Sequence, residues 1–240
     1  MSNRRTLIAA VVAGGLALGA AGLAVVYFVV FAGSSPQKLA LSSPTPSSPG
    51  STASPSSTPA AGTWTVTSGS QAGYRVREQL ASVPAPSDAV GRTSAVTGTV
   101  TLAQSASGDS VTAASVTVDV SKLSSDQSRR DQRIHSQGLE SDRYPTATFQ
   151  LAAPIALPAT AASGQAINVS ATGALTVHGV TKTVTIPIAA RLTGSKIELV
   201  GSITFPFSQF GMTPPSIGGF VSVQDNATME FQILLAPPGA

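Results

Sequence analysis

The chain has 240 residues, no cysteine, two histidines and only 10% charged residues. The missing thiols exclude disulfides, thiolate zinc sites, cysteine nucleophiles and a lipid-acylated cysteine, and two histidines exclude a three-histidine metal site within one chain. Arg4, Arg5 and Lys38 account for the net charge of +3, because residues 61–240 carry 11 basic and 11 acidic residues. Residues 61–240 therefore carry no net charge and lack the excess of basic residues that is typical of a nucleic-acid-binding domain.

The N-terminal segment carries a membrane signal. Residues 7–32 contain no charge and follow Arg4 and Arg5. A helix of this length reaches ~39 Å, enough to cross a hydrocarbon core of ~30 Å with some tilt. We predict a transmembrane signal-anchor helix at 7–32 with a cytoplasmic tail at 1–6, because basic residues favour the inside. The alternative is a cleaved signal peptide, whose apolar region usually spans only about 7–15 residues.

Residues 33–62 predict a linker. They include 10 Ser, 3 Thr and 6 Pro, no aromatic residue and a single charge. Such a composition buries too little apolar surface to offset the entropy of ordering, so we predict a disordered spacer. Its reach is at most ~90 Å if it is extended like polyproline II.

The body, residues 63–240, is rich in short runs of alternating apolar and polar residues. Val116, Val118 and Val120, for example, share one face of a strand. His178-Gly179-Val180 and Gly194-Ser195 are short turns that predict hairpins, whereas Pro187 predicts an edge, a bulge or a locally open pairing. The predicted fold is all-β, with about eight antiparallel strands in a barrel or a sandwich: 74–77, 94–102, 110–120, 146–151, 166–177, 181–191, 196–207 and 220–235.

A charged segment at 124–143 interrupts this pattern. Ten consecutive polar residues at 124–133 cannot be buried inside a barrel. We expect a short helix or loop across one end or the outer wall, with Ser124 or Ser125 capping its start. Ile134 and Leu139 are its only large apolar residues beyond Arg133. Because only these two residues could anchor the segment by apolar contacts, we predict that it is a weakly held lid over a ligand-binding tunnel.

Four stretches of the body, in order, resemble the YceI family of lipocalin-like polyisoprenoid-binding proteins. They are AGYRVREQL at 72–80, RRDQRIHSQGLESDRYPTATF at 129–149, GALTVHGVTKTVTIPI at 173–188, and residues 201–235, with FGMTPPSIGGFVSVQDNATMEF at their centre. The resemblance implies an eight-stranded lipocalin-like barrel around a long isoprenoid chain. Gly138-Leu139-Glu140 departs from the acidic, Phe-rich stretch that many members have before Tyr-Pro.

Candidate binding residues follow from the inward strand faces and from the resemblance. The alternative for the aromatic ones is core packing, and Trp64 is expected to pack in the core or at a barrel end. Arg130 and Arg133 are candidates for contacts with a phosphate or quinone head group; the simpler alternative is a solvated face, paired with the neighbouring carboxylates. We predict that the apolar tunnel is lined by Tyr74, Val76, Phe149, Leu151, Leu175, Val177, Ile186, Ile188, Phe205, Phe207, Phe210, Met212 and Phe220.

No catalytic motif is present in the sequence: it has no G-x-S-x-G, no H-E-x-x-H and no phosphate-binding glycine loop. His178 is expected to be a turn residue and His135 a surface residue. We therefore expect a non-enzymatic protein of the cell membrane, with its barrel outside the cytoplasm, that holds a polyisoprenoid or similar apolar lipid without a metal or other cofactor. The rival is a barrel displayed on a stalk as an interaction module without a lipid. A serine hydrolase is a third, weaker alternative.

Overall fold

The computed structural model describes residues 35–43, 60–80, 86–106, 108–215 and 221–239. Within these ranges no helix is both long and apolar enough to cross a membrane. The predicted signal-anchor at 7–32 lies outside them, as does most of the predicted linker. Residues 35–43 and 60–62 of that linker are described: the first stretch has no regular secondary structure, and the second leads into a strand that begins at Gly62, the last residue of the predicted linker.

The body is all-β, as predicted, and every strand pairing is antiparallel. The described residues form eleven strands rather than the eight predicted; the additional ones are two short strands in the first part of the body, at 62–66 and 87–93, and a two-residue strand at 155–156. The strands are β1 (Gly62–Val66), β2 (Gln71–Leu80), β3 (Ser87–Thr93), β4 (Val96–Ser105), β5 (Gly108–Asp119), β6 (Thr146–Leu151), β7 (Ile155–Ala156), β8 (Ile167–Val177), β9 (Val180–Thr193), β10 (Lys196–Phe205) and β11 (Val221–Ala236).

Eight of these strands close a barrel. The hydrogen-bonded order is β1-β4-β5-β6-β8-β9-β10-β11, and β11 pairs back with β1 through Thr65–Ala236 and Val66–Leu235. The β2–β3 hairpin continues from β11 at the other end of this long strand, while β7 pairs with β5. The described part of β3 pairs only with β2, apart from one bridge between Arg92 and Ser124. That end of the wall is therefore completed by the charged segment rather than by another strand.

Both hairpins predicted from turn signals are present. β8 and β9 pair from Val177–Val180 outwards, and β9 and β10 pair from Thr193–Lys196. Pro187 lies where the β9–β10 pairing ends, since Ile188–Gly201 is the last pair. The locally open pairing is thus the correct alternative of the three, because a residue without an N–H cannot continue the ladder.

The charged segment forms a short helix, one of the two predicted alternatives, but its start is not capped as expected. Helix α1 (Ser128–Arg133) follows Gln127, whose side chain makes no capping hydrogen bond, and a π-helical turn (Ile134–Gly138) continues it. Ser124 instead pairs with β3, and the Ser125 hydroxyl donates to Asp131 Oδ1 at 2.6 Å. This hydrogen bond to Asp131 therefore holds the chain that precedes the helix against α1.

Candidate functional site

The barrel encloses an apolar cavity of about 260 Å³. Its lining comes from β2 and from β4 through β11, together with the charged segment. Along β10 it runs from Ile197 to Phe205, a strand path of ~26 Å at ~3.3 Å per residue. The cavity is therefore long relative to its volume, which suits a chain-like ligand better than a compact one.

Two clusters of buried apolar side chains border this cavity. One contains Phe205 and Leu175, and the other contains Trp64 and Leu235. Phe231 packs against both clusters although it is itself only partly buried. An inward-facing side chain remains partly exposed in this way when it borders a void instead of a neighbour. The interior is thus packed at two places and hollow between them.

Aromatic side chains on the inner wall keep this space open. A ring that projected radially would cross the narrow lumen of an eight-stranded barrel. Here three rings lie along the wall, each over a glycine of a neighbouring strand. A Cβ built on that glycine would fall within 2.5 Å of the ring, which therefore uses the space of the missing side chain: Tyr74 over Gly91, Phe149 over Gly173 and Phe231 over Gly201.

Most residues predicted to line a tunnel do border the cavity. Phe210 does not: it is 0% exposed and packs edge-on against Phe205, with ring centroids 4.6 Å apart. It supports one end of the cavity instead of lining it. Phe220 lies outside the described residues. The predicted residues that do line the cavity are Tyr74, Val76, Phe149, Leu151, Leu175, Val177, Ile186, Ile188, Phe205, Phe207 and Met212.

Sequence reasoning missed other parts of the lining. The alternation in β5 and β11 had already identified one apolar face on each strand, but it did not show that this face borders an open space. The missed apolar residues on these strands are Val111, Ala114, Val116, Val118, Ala227, Met229, Phe231, Ile233 and Leu235.

Tyr74 places a polar group in this apolar lining. Its buried hydroxyl forms no hydrogen bond of good geometry with a described group, although the nearby Ser125 side chain acts to lower its pKa. Burial raises the pKa of Tyr74 far above its ordinary value, so the phenol stays neutral and can donate a hydrogen bond. A buried donor without a partner costs about 1–3 kcal/mol. The hydroxyl is therefore available to a ligand with an acceptor atom at this place.

The charged segment covers one end of the cavity. Ile134, Gly138 and Leu139 all belong to the lining, as the lid hypothesis expected for its two apolar residues. They are not its only anchors. The backbone of Ser124 pairs with that of Arg92 at 2.9 and 3.0 Å, and polar side chains hold the segment as well.

Arg130 is the strongest of these polar anchors. Its Nε and Nη2 donate to the two carboxylate oxygens of Glu78, each at 3.1 Å, and Nη1 donates to Asp126 at 2.5 Å. Burial alone would lower the pKa of Arg130, but these two carboxylates raise it above its ordinary value. Arg133 donates to the side chain of Gln137 at 3.0 Å. Arg130 thus joins α1 to β2, and contact of either arginine with a head group stays a prediction.

Both histidines form hydrogen bonds with neighbouring parts of the chain. His178 occupies the β8–β9 turn with φ of 53°, and its Nδ1 lies 3.2 Å from the Phe210 carbonyl oxygen. His135 Nδ1 forms a short hydrogen bond with Ser141 Oγ.

Trp64 is 2% exposed, donates from Nε1 to the Ala60 carbonyl at 2.9 Å and belongs to the second apolar cluster, as expected for core packing. Within the part of the chain that the structure describes, no three metal-ligating side chains cluster.

The sequence matches the YceI-like domain over residues 64–235, well over half of the chain. The chain belongs to the YceI-like family. The order of the strands and the hollow interior fit the resemblance seen in the four sequence stretches. No curated protein sequence matches the chain.

Solved structures share the fold of this YceI-like protein. Burkholderia cenocepacia BcnA is 20% identical; the alignment covers 68% of this chain and 95% of that chain, with a TM-score of 0.50. A polyisoprenoid binding domain from Saccharophagus degradans, implicated in plant cell wall breakdown, is 13% identical; the alignment covers 75% of this chain and 100% of that chain, with a TM-score of 0.54. At these identities the similarity establishes the architecture alone.

Proposed function

We propose that this YceI-like protein binds an apolar polyisoprenoid-type lipid in the barrel cavity, outside the cytoplasm, and stores it or passes it on near the membrane. The observation that carries the proposal is the elongated cavity whose lining is apolar along the whole of β10. A polyprenyl tail offers no polar group to recognise, and each buried CH₂ contributes about 0.8 kcal/mol. The fold shared with the polyisoprenoid binding domain from Saccharophagus degradans supports the same ligand class.

The Tyr74 hydroxyl favours a lipid with one acceptor group, such as a quinone carbonyl, over a pure hydrocarbon. The described residues that line the cavity are almost all apolar, so the proposed role is binding without chemistry. The anchor at 7–32 is part of this proposal: a single-pass helix would keep the barrel beside the bilayer that supplies or receives the lipid.

The test uses full-length protein purified in mild detergent, followed by lipid extraction and mass spectrometry. Val116 faces the cavity, whereas Ser115 is exposed on the opposite face of the same strand. We expect a stoichiometric apolar lipid in the wild type and in Ser115→Trp, and its loss in Val116→Trp because the indole fills the lumen.

The rival function, an interaction module displayed without a lipid, predicts a different result. No lipid would copurify with the wild type, and added quinone or polyprenol would not bind. Equal lipid content in Val116→Trp and Ser115→Trp would also overturn the proposal, since it would place the lipid outside the barrel.

A further inference from the structure

Two glutamates on the outer wall of the barrel are buried. Glu198 on β10 lies between the cavity-lining Ile197 and Leu199, and its carboxylate therefore points outwards. The Glu230 carboxylate on β11 pairs with Arg75 and Arg92 on the same outer face, although Glu230 also borders the cavity. The two residues are only 3% and 4% exposed. A carboxylate on an outer wall is ordinarily hydrated, and burying it is costly unless it is paired and hydrogen-bonded. Partners must therefore cover these two groups.

Neighbouring strands supply part of this cover. Arg92 Nη2 lies 2.8 Å from Glu230 Oε1, and Arg75 Nε lies 3.5 Å from Oε2. Arg92 reaches across β2 at Gly73, where a Cβ would fall 2.9 Å from its Cγ. Glu198 accepts from Gln232 Nε2 at 2.7 Å and from Arg191 at 3.3 Å, so both carboxylates belong to one polar band across β3, β2, β11, β10 and β9.

The rest of the cover comes from residues 37–43, here called the strap. Ser42 donates to Glu198 Oε1 from its N–H at 2.9 Å and from its hydroxyl at 2.8 Å. The strap's carbonyls accept in turn from the barrel: that of Ala40 from Gln232 at 3.2 Å, and those of Gln37 and Ser42 from Arg92 and Arg191 through short hydrogen bonds. The polar band thus binds an extended peptide mainly through its backbone.

An apolar contact adds to this docking. Leu39 is half-buried and borders a shallow depression formed by Pro187, Ile188 and Gly201, where the β9–β10 pairing ends. The strap therefore also lies over the locally open seam. Five of its seven residues are exposed, so docking buries little surface and remains easy to reverse.

We propose that the strap is a reversible clamp that sets how far the barrel can stand from the membrane, an inference that rests on the proposed membrane anchor. When the strap is docked, only residues 33–36 separate the polar band from the end of the apolar segment, and four residues span at most ~14 Å. When it is released, residues 33–62 give a reach of up to ~90 Å. Docking keeps the wall that carries the polar band beside the bilayer, and release lets the barrel reach partners far from it.

The docking test uses full-length protein in lipid nanodiscs, and the absence of native cysteine makes labelling unambiguous. Spin labels at Lys38→Cys and Thr183→Cys, both exposed positions, report the distance between the strap and β9. We expect one narrow distance in the otherwise unaltered chain. Ser42→Pro removes both donors to Glu198 and should broaden and lengthen the distribution, whereas Ser43→Pro at the exposed neighbour should not. A broad distribution in the unaltered chain, or equal effects of both substitutions, overturns the clamp.

The reach is measured separately, by energy transfer from a dye at Thr183→Cys to labelled lipid head groups. Ser42→Pro should reduce the transfer at least twofold, while Ser43→Pro leaves it unchanged. Unchanged transfer despite a released strap overturns the role in setting distance. Extraction of the full-length protein by carbonate would refute the anchor, and with it the distance role, even if the spin labels show a docked strap. Ser42→Pro should still unfold in one cooperative thermal transition, because Ser42 lies outside the barrel and Gln232 and Arg191 continue to hold Glu198.

Discussion

The ring of Tyr74 lies over Gly91, its partner across the β2–β3 pair, so closely that a Cβ at position 91 would fall 2.3 Å from Cε1 and 2.8 Å from the hydroxyl oxygen. A glycine here gives the ring a place along the wall. The ring consequently leaves the lumen open and holds its hydroxyl at the cavity surface. This pair of residues thus helps to keep the cavity open and positions the Tyr74 hydroxyl.

Gly91→Ala should push the Tyr74 ring into the lumen. We expect a loss of stability of about 1–3 kcal/mol from overpacking, and a lower content of bound lipid. Denaturant unfolding and mass spectrometry of extracted lipid measure the two effects. Because the three closest atoms to the added methyl all belong to Tyr74, the double variant Tyr74→Val, Gly91→Ala should regain most of the stability. A double variant no more stable than the single one would show that the strain arises in the backbone.

Tyr74→Phe should distinguish the contribution of the hydroxyl to stability and ligand binding from that of the ring. Removing a buried donor that has no partner should leave stability unchanged or raise it by up to about 1 kcal/mol. Affinity for an isoprenoid quinone should fall about tenfold, as expected for one lost hydrogen bond, while a hydrocarbon of the same length should bind equally well. Titration of both ligands into the two proteins checks this. A similar loss for both ligands would assign the effect to packing.

Ile134→Ser should loosen the cover over the cavity end without unfolding the barrel. Ile134 contributes apolar contact to the lining, whereas Arg130 and the Ser124 backbone hold the segment independently. Loss of about 1–2 kcal/mol of docking free energy should speed exchange of bound lipid roughly tenfold. Transfer of a fluorescent lipid to vesicles measures the rate, with Gln132→Ser at an exposed position as the control. Global unfolding of Ile134→Ser would place this residue in the core and refute the lid.

Acid should weaken the polar band on the outer wall. Burial acts to raise the pKa of Glu198, but hydrogen bonds from Gln232 and Ser42 and the charge of Arg191 bring it below its ordinary 4.5. A carboxyl whose pKa is lower in the folded state stabilises the protein fully above pH 4.5, and this contribution is lost as the pH falls through the folded pKa. Glu198→Gln should be less stable at neutral pH and should lose less on acidification. Parallel stability curves for both proteins between neutral pH and pH 3 would refute this linkage.

The sequence by itself determined the strand pattern and the family. Alternating apolar residues, short turns and Pro187 identify the hairpins because these signals act between neighbours along the chain. The inward faces of β8 and β9 were predicted for the same reason, and Leu175, Ile186 and Ile188 do line the cavity.

Only the tertiary structure decided where the interior is hollow and what covers the wall. Phe205 borders the cavity while Phe210, five residues later, is fully packed, a difference that alternation does not encode. The pairing of Arg130 with Glu78, 52 residues apart, and of Ser42 with Glu198, 156 residues apart, joins segments whose own sequences show no sign of each other. Such contacts depend on the tertiary fold, because only the folded sheet, with its β2–β3 hairpin and the docked strap, brings these distant residues together.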